Sequence, residues 1–143
     1  MPLTSYTLQQ LSNLLSASAQ LNNPQLIIES LAIDSRKINS SDNTLFFALK
    51  GQRNGHDFIP ELINKGVKSF VISEDKWMTK YPDVNFLLVK DSLKALQLIA
   101  AHHREQFNYP VIGITGSNGK TIVKEWLFQL LSVDHHIVRS PKS

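Results

Sequence analysis

The chain has 143 residues, of which 42% are hydrophobic and 19% charged, enough apolar side chains for a packed core and too many for a wholly disordered segment. The 15 Lys and Arg against 12 Asp and Glu give a net charge of +3, but the basic residues are interspersed with acidic ones in no basic stripe, which argues against nucleic-acid binding. Cysteine is absent, so disulfides, thiolate metal sites and cysteine nucleophiles are excluded, and only carboxylate or histidine chemistry is left for a metal. With no long uncharged apolar run and no basic, apolar leader at Met1, the chain reads as cytoplasmic, with no membrane span.

Leu8, Leu11, Leu14 and Leu15 follow helical spacing behind the possible caps Ser5 and Thr7. Residues 26–33 and the apolar run 44–49 suit strands, separated by the polar turn 34–43. Residues 50–57, with Gly51 and the pair Asn54-Gly55, form a loop; residues 58–64 read as a short helix that carries Pro60 in its first turn and ends at Gly66. Residues 68–73 and 86–90 are further strands across a polar separator, 74–85. Asp91 or Ser92 caps a helix with Leu93, Leu96, Ile99 and Ala100 on its apolar positions. Residues 111–114 read as a short buried strand, and a last helix carries Ile122, Val123, Trp126, Leu127, Leu130 and Leu131. Strands alternating with helices imply an α/β domain with a largely parallel sheet.

Between the last strand and helix stands Thr115-Gly116-Ser117-Asn118-Gly119-Lys120-Thr121. Glycines let consecutive N–H groups point into one concavity, and the helix start behind them adds partial positive charge, so a polyphosphate is the natural guest. Lys120 would reach the β and γ phosphates of ATP and the Thr121 hydroxyl would ligate Mg²⁺. The full P-loop pattern is not met, because Ile114 stands where its first glycine belongs and the glycine lies one residue earlier, at Gly113.

Asp34-Ser35-Arg36, Leu45-Phe46-Phe47-Ala48-Leu49-Lys50-Gly51, Gly55-His56-Asp57-Phe58-Ile59, Lys65-Gly66-Val67 and the phosphate loop occur in the order seen in the ATP-dependent Mur ligases of peptidoglycan synthesis, which the chain resembles from about residue 33 onward. The resemblance implies an N-terminal domain, residues 1–83, that holds the UDP end of the substrate through Asp34, Ser35, Arg36, Lys50, Gly51, His56 and Phe58, followed at 84–143 by the start of a central ATP-binding domain. Ile122-Val123-Lys124-Glu125 is similar to the branch that adds D-alanyl-D-alanine to UDP-N-acetylmuramoyl-tripeptide; the branch that adds the third peptide residue is the alternative, and a non-catalytic nucleotide-binding module is another. The tail Arg139-Ser140-Pro141-Lys142-Ser143 resembles a branch fused to an alanine racemase, and pyridoxal phosphate enters only with that fusion. Folylpolyglutamate and cyanophycin synthetases fit less well, given the Asp-Ser-Arg and Gly-His-Asp-Phe blocks. The acidic Mg²⁺ ligand, the modified lysine and the C-terminal domain of the family have no counterpart here, so the 143 residues alone are expected not to ligate.

Read from the residues alone, Arg36 offers a planar fork of donors for a phosphate and Ser35 a hydroxyl beside it, while Asp34 orients Arg36 or caps a turn. A turn held by side-chain to backbone bonds explains the same three residues without a ligand. His56 reads either as a donor to a diphosphate or uracil or as an ordinary loop histidine. Phe46, Phe47 and Phe58 are most simply core, with stacking on uracil the alternative for one of them. The adjacent pairs His102-His103 and His135-His136 lack the spacing that puts two ligands on one helix face, Trp77 and Trp126 read as packing residues, and Asn39-Ser40-Ser41 fits a glycosylation sequon with no reason to be used.

Overall fold

A computed structural model describes residues 5–38 and 42–141; the sequon Asn39-Ser40-Ser41 and the tail residues Lys142 and Ser143 lie outside them. The chain divides into two compact units, Met1–Phe107 and Asn108–Ser143.

The first unit is built on a five-stranded sheet. Strands β4 (Ser30–Ala32), β5 (Thr44–Phe47), β6 (Ser69–Ile72) and β7 (Asn85–Leu88) run parallel and adjacent, and β2 (Ser18–Gln20) closes the other edge antiparallel to β7. A separate antiparallel pair joins β1 (Tyr6–Thr7) to β3 (Ile27–Ile28). All four residues of β5 and of β6 are buried, as expected of parallel strands covered on both faces.

Successive strand side chains alternate between the two faces, and the core divides accordingly. Phe46, Phe70, Ile72 and Phe86 face one way, against Ile59 and Leu62 of α2 (Ile59–Asn64) and Trp77 of α3 (Lys76–Lys80). Leu45, Phe47, Val71 and Leu87 face the other, against Leu8 and Leu11 of α1 (Leu8–Leu15) and Ala95 and Ile99 of α4 (Ser92–Glu105). The result is a three-layer α/β sandwich. Phe70 is its centre, edge-on to Phe46 with centroids 6.1 Å apart and tilted against Phe86 at 5.6 Å.

Local chemistry sets the element ends. The Thr7 hydroxyl accepts from the Gln10 N–H while the Gln10 side chain accepts from the Thr7 N–H, a reciprocal cap on α1. Asp91 caps α4 by accepting from the N–H groups of Leu93 and Lys94. Pro60 sits in the first turn of α2, and Gly66 follows the helix at φ 92°, a conformation open to glycine at little cost. The buried Asn85 amide ties β7 to the chain after β2: its oxygen accepts from the N–H groups of Asn22 and Asn23 at 2.8 and 3.2 Å, and its nitrogen donates to the Lys68 carbonyl at 3.0 Å.

Three expectations are corrected. The boundary anticipated between residues 83 and 84 falls instead after Phe107, because β7 is a central strand of the first sheet and α4 covers that sheet. The separator at 74–85 holds a helix, α3, in which Trp77 reaches the core beneath Lys76 and Lys80, whose ammonium groups lie 5.4 and 5.3 Å from its ring centroid. Residues 111–114 form no strand: Val111 and Ile112 are 65% and 62% exposed, and no strand lies within the second unit for them to pair with among the described residues.

In that second unit the final helix, α5 (Lys120–Leu131), buries none of its side chains, and Trp126 is 62% exposed rather than a packing residue. The segment after the helix folds back on it: Arg139 pairs with Glu125 and lies over the Phe128 ring at 4.0 Å, and Lys124 Nζ donates to the Ser140 carbonyl at 3.0 Å.

Candidate functional site

Beyond the C-terminal end of β4, the chain makes a 3-10 turn, Ser35–Lys37, capped by Asp34. One Asp34 oxygen accepts from the Arg36 N–H at 3.1 Å and from Arg36 Nε at 2.9 Å; the other accepts from Arg36 Nη2 at 2.8 Å. Both anticipated roles of Asp34, cap and orienter, are therefore filled at once. The Arg36 guanidinium holds the Asp34 carboxyl well below the usual carboxylate range. Two of the five guanidinium donors of Arg36 are spent on Asp34, and among the described residues none accepts from Nη1 of this 83% exposed side chain.

The loop after β5 comes up beside this turn. Gly55 N–H donates to the Leu49 carbonyl at 2.8 Å, and Lys50 and Asn54 form an isolated antiparallel bridge, so residues 49–55 make a tight hairpin-like loop. Gly55 is required here by space: a Cβ would lie 2.6 Å from the Leu49 nitrogen and 2.9 Å from its carbonyl oxygen. A second turn, Gly55–Phe58, leads directly into α2.

Between the two turns lies a cleft of about 470 Å³. Asp34, Ser35 and Arg36 line it from the first turn and Gly51, Arg53 and Gly55 from the loop; Ile33, Leu49 and Phe58 give it apolar surface, and Glu61 of α2 also lines it. Five of the seven residues anticipated for the UDP end, Asp34, Ser35, Arg36, Gly51 and Phe58, thus meet at one cleft. Arg53 was not anticipated. Its signal was available, a long cationic side chain between Gly51 and Gly55, but Lys50 drew the assignment to its own position.

Lys50 and His56 are not among the cleft residues. Lys50 Nζ pairs with Glu74 at 3.2 Å, and Lys76 pairs with the same carboxylate at 2.8 Å; Lys76 first and Lys50 second hold the Glu74 carboxyl down at about 2. The His56 side chain is buried at 0% exposure, with Nδ1 2.7 Å from Asn54 Oδ1 and Nε2 accepting from the Ser73 N–H at 3.0 Å. With both ring nitrogens engaged inside the protein, His56 cannot reach a ligand, which corrects its assignment as a direct contact. Burial pushes its pKa below the usual histidine value. Phe46 and Phe47 are core residues, while Phe58, half-buried, is shared between core and cleft.

In the second unit, Thr115, Gly116, Ser117, Asn118 and Gly119 form the loop ahead of α5, with Lys120 and Thr121 in its first turn. Gly116 and Gly119 have φ of 149° and 79°, backbone that side chains rarely adopt. Gly119 at the helix cap brings no side chain, leaving the first-turn N–H groups to solvent or an anion. Lys120 Nζ donates to the Gly116 carbonyl at 2.6 Å, closing the loop on itself. These features fit a phosphate group. For Mg²⁺ the chain offers the Thr121 hydroxyl; no grouping of three or more His, Asp or Glu suited to a metal occurs among the described residues. Of the histidine pairs, His103 Nδ1 lies 3.4 Å from the Tyr6 hydroxyl and His102 Nε2 3.3 Å from the Gln106 amide.

The family model described as "Mur ligase family, catalytic domain" matches residues 27–104, which hold the cleft and stop short of the glycine loop. The chain is 35% identical over 121 residues to the UDP-N-acetylmuramoyl-tripeptide--D-alanyl-D-alanine ligase of Borreliella burgdorferi, covering 78% of the chain and 26% of that protein. It is 32% identical over 131 residues to the UDP-N-acetylmuramoyl-L-alanyl-D-glutamate--2,6-diaminopimelate ligase of Clostridioides difficile, covering 88% of the chain and 25% of that protein. Among solved structures, crystal structure II of MurF from Acinetobacter baumannii superposes with a TM-score of 0.74 at 31% identity, covering 99% of the chain and 31% of that one. The chain spans about a quarter of the length of the curated relatives it matches.

Proposed function

The chain belongs to the Mur ligase family, and from that premise we propose that it is the N-terminal part of an ATP-dependent amide ligase that adds D-alanyl-D-alanine to UDP-N-acetylmuramoyl-tripeptide. The observation that carries the reading is the cleft, which Arg36, Arg53 and Ser35 line together with apolar residues. Arg36 and Arg53 suit a diphosphate, Ser35 supplies a neutral hydrogen-bonding group, and Phe58 with Leu49 suits the face of a flat base. The cleft therefore anchors the UDP end, and its contribution to the reaction is positioning. No helix among the described residues is long and apolar enough to cross a membrane.

Joining a carboxylate to an amine is uphill in water, and ATP supplies the drive. The tripeptide carboxylate oxygen attacks the γ-phosphorus, the bond to the β-phosphate oxygen breaks, and ADP leaves an acyl phosphate. The amine of D-alanyl-D-alanine then attacks the acyl carbon, phosphate departs and the nitrogen gives up its proton. In this reading the loop at 115–121 holds the ATP phosphates, with Lys120 offsetting charge on the transferring group. Bound at Thr121, Mg²⁺ would neutralise charge on the β and γ oxygens.

Titration of the chain with UDP-N-acetylmuramic acid and with Mg-ATP tests the cleft. Saturable binding of the UDP-sugar, lost in Arg36→Ala, is expected; ATP binding without UDP-sugar binding would favour a nucleotide-binding module of another kind. A second reading, the ligase that adds the third residue, is favoured by relatives named for diaminopimelate, 32–40% identical to this chain. The full-length ligase decides between them, according to whether it consumes D-alanyl-D-alanine with the tripeptide or diaminopimelate with the dipeptide.

A further inference from the structure

We propose that His56, which touches no ligand, is the positioning residue of the cleft: its buried ring pins the loop bearing Gly51 and Arg53 to the end of β6. The inference rests on the reading of the cleft as the nucleotide-end site.

The proton on the ring is fixed by its partners. The Ser73 backbone nitrogen can only donate, so Nε2 carries no proton, and the neutral ring holds its proton on Nδ1 and donates it to Asn54 Oδ1. That same Asn54 oxygen accepts from the His56 N–H at 3.1 Å, and the Asn54 amide nitrogen points to Glu74 Oε1 at 3.5 Å. Ring and amide together bridge residue 54 of the loop to residues 73 and 74 beyond β6. Lys50, at the other end of the loop, reaches the same Glu74. The loop that presents Gly51 and Arg53 to the cleft is thus held from behind at both ends, and among the described residues its crossing to the end of β6 through a neutral, titratable group is His56.

Protonation would undo the pin. A proton on Nε2 faces the Ser73 N–H, donor against donor, so that backbone bond is lost and only the more distant Ser73 hydroxyl, 3.5 Å away, is left to accept from the ring. Burial disfavours the charged ring, the Glu74 carboxylate favours it, Lys50 and Lys76 oppose it, and Asp57 on the same turn favours it weakly. The loop is then fixed at neutral pH and released in acid. A loop competent for only a tenth of the time would weaken apparent affinity about tenfold.

The test is calorimetric titration of the 143-residue chain with UDP-N-acetylmuramic acid, whose diphosphate is esterified at both ends and so keeps its charge where a terminal phosphate, with a pKa of about 6, would not. His56→Gln can offer its carbonyl oxygen to the Ser73 N–H; His56→Asn can reach Asn54 but falls short of Ser73. Wild type should bind with constant affinity from neutral pH down to the ring titration and weaken beyond it. His56→Gln should stay within a few-fold of wild type and lose that acid weakening. His56→Asn should bind about tenfold more weakly at neutral pH, with faster amide exchange at Ser73 and across residues 51–55. Wild-type affinity and an unchanged pH profile in both variants would overturn the inference and leave the cleft reading standing. Failure of wild type to bind the UDP-sugar would overturn the cleft reading and the inference with it. Should neither variant fold, nitrogen-15 shifts of the wild-type ring followed alongside affinity decide: coincident midpoints uphold the pin, and affinity that stays flat through the ring titration overturns it.

Discussion

Gly55→Ala is the sharpest perturbation of the cleft that touches no ligand-facing group. A Cβ at residue 55 would stand 2.6 Å from the Leu49 nitrogen and 2.9 Å from the Leu49 oxygen, whereas ordinary van der Waals contact begins at 3.4 Å. Both neighbours are backbone, so no side chain can swing aside. Parting the two segments by the missing distance of about 0.8 Å would stretch the 2.8 Å Gly55 N–H to Leu49 carbonyl bond to about 3.6 Å, past useful hydrogen-bond range. Losing that bond costs about 1 kcal/mol and forcing the backbones apart about 1–3 kcal/mol more, for a total of about 2–4 kcal/mol. With a urea slope of about 1.5 kcal/mol per molar, the unfolding midpoint should fall by about 2 M. The assay is fluorescence of the buried Trp77 in a Trp126→Phe background, since Trp126 is exposed and adds only a constant signal. Gly51→Ala is the control: its Cβ would meet only the Arg53 carbonyl oxygen, at 3.9 Å, and should shift stability by less than about 0.5 kcal/mol. Equal midpoints for the two variants would refute the close-approach argument.

Arg36→Lys keeps the positive charge but loses the fork that grips Asp34 on one edge and faces the cleft on the other, so UDP-sugar affinity should drop about tenfold in calorimetry with an unchanged circular dichroism spectrum. Acid should weaken the first unit in two stages, read from urea midpoints at stepped pH. Because burial lowers the His56 pKa below 6.5, the unfolded chain binds the extra proton first; stability is full above pH 6.5 and declines as pH falls toward the folded-state value, a stage His56→Gln should remove. Asp34 and Glu74, lowered from 3.8 and 4.5 by their cationic partners, contribute stability above those values that is lost as pH falls below them. In the full-length ligase, Lys120→Ala should abolish ATP turnover with the fold intact, and retained turnover would remove Lys120 from the phosphate site.

How much of this was legible in the sequence follows from what each segment buries. The parallel sheet could be read because Thr44-Leu45-Phe46-Phe47 and Ser69-Phe70-Val71-Ile72 are covered on both faces and so appear as near-continuous apolar runs. Strands β1 and β2 could not, since Tyr6-Thr7 and Ser18-Ala19-Gln20 are short, polar and half-exposed, and exist only through the partners they meet. Helix α3 was hidden by Lys76, Thr79 and Lys80, which surround its one buried residue, Trp77. The position of the first domain's end was hidden too: nothing local in Asn85-Phe86-Leu87-Leu88 tells whether that strand completes one sheet or begins another. At the cleft, the family resemblance supplied Asp34, Ser35, Arg36, Gly51 and Phe58, which the residues alone left open between a site and a turn or core, while burial, which decides what an imidazole does, is a property of the whole fold.

That last point alters what the block Asn54-Gly55-His56-Asp57-Phe58 means. Asn54 caps the turn and accepts from the His56 ring, Gly55 permits contact with Leu49, and His56 reaches across to Ser73. Asn54, Gly55 and His56 therefore all serve the backbone, and of the five only Gly55 and Phe58 line the cleft. The side chains that would meet an anionic ligand, Arg36 and Arg53, stand outside the block, one in the preceding turn and one at the loop tip. A motif by which a binding loop is recognised can thus encode the frame of the loop rather than its ligand contacts. The resemblance gave a binding role to His56 of this block and to Lys50 of the one before it, neither of which lines the cleft, and passed over Arg53, which does.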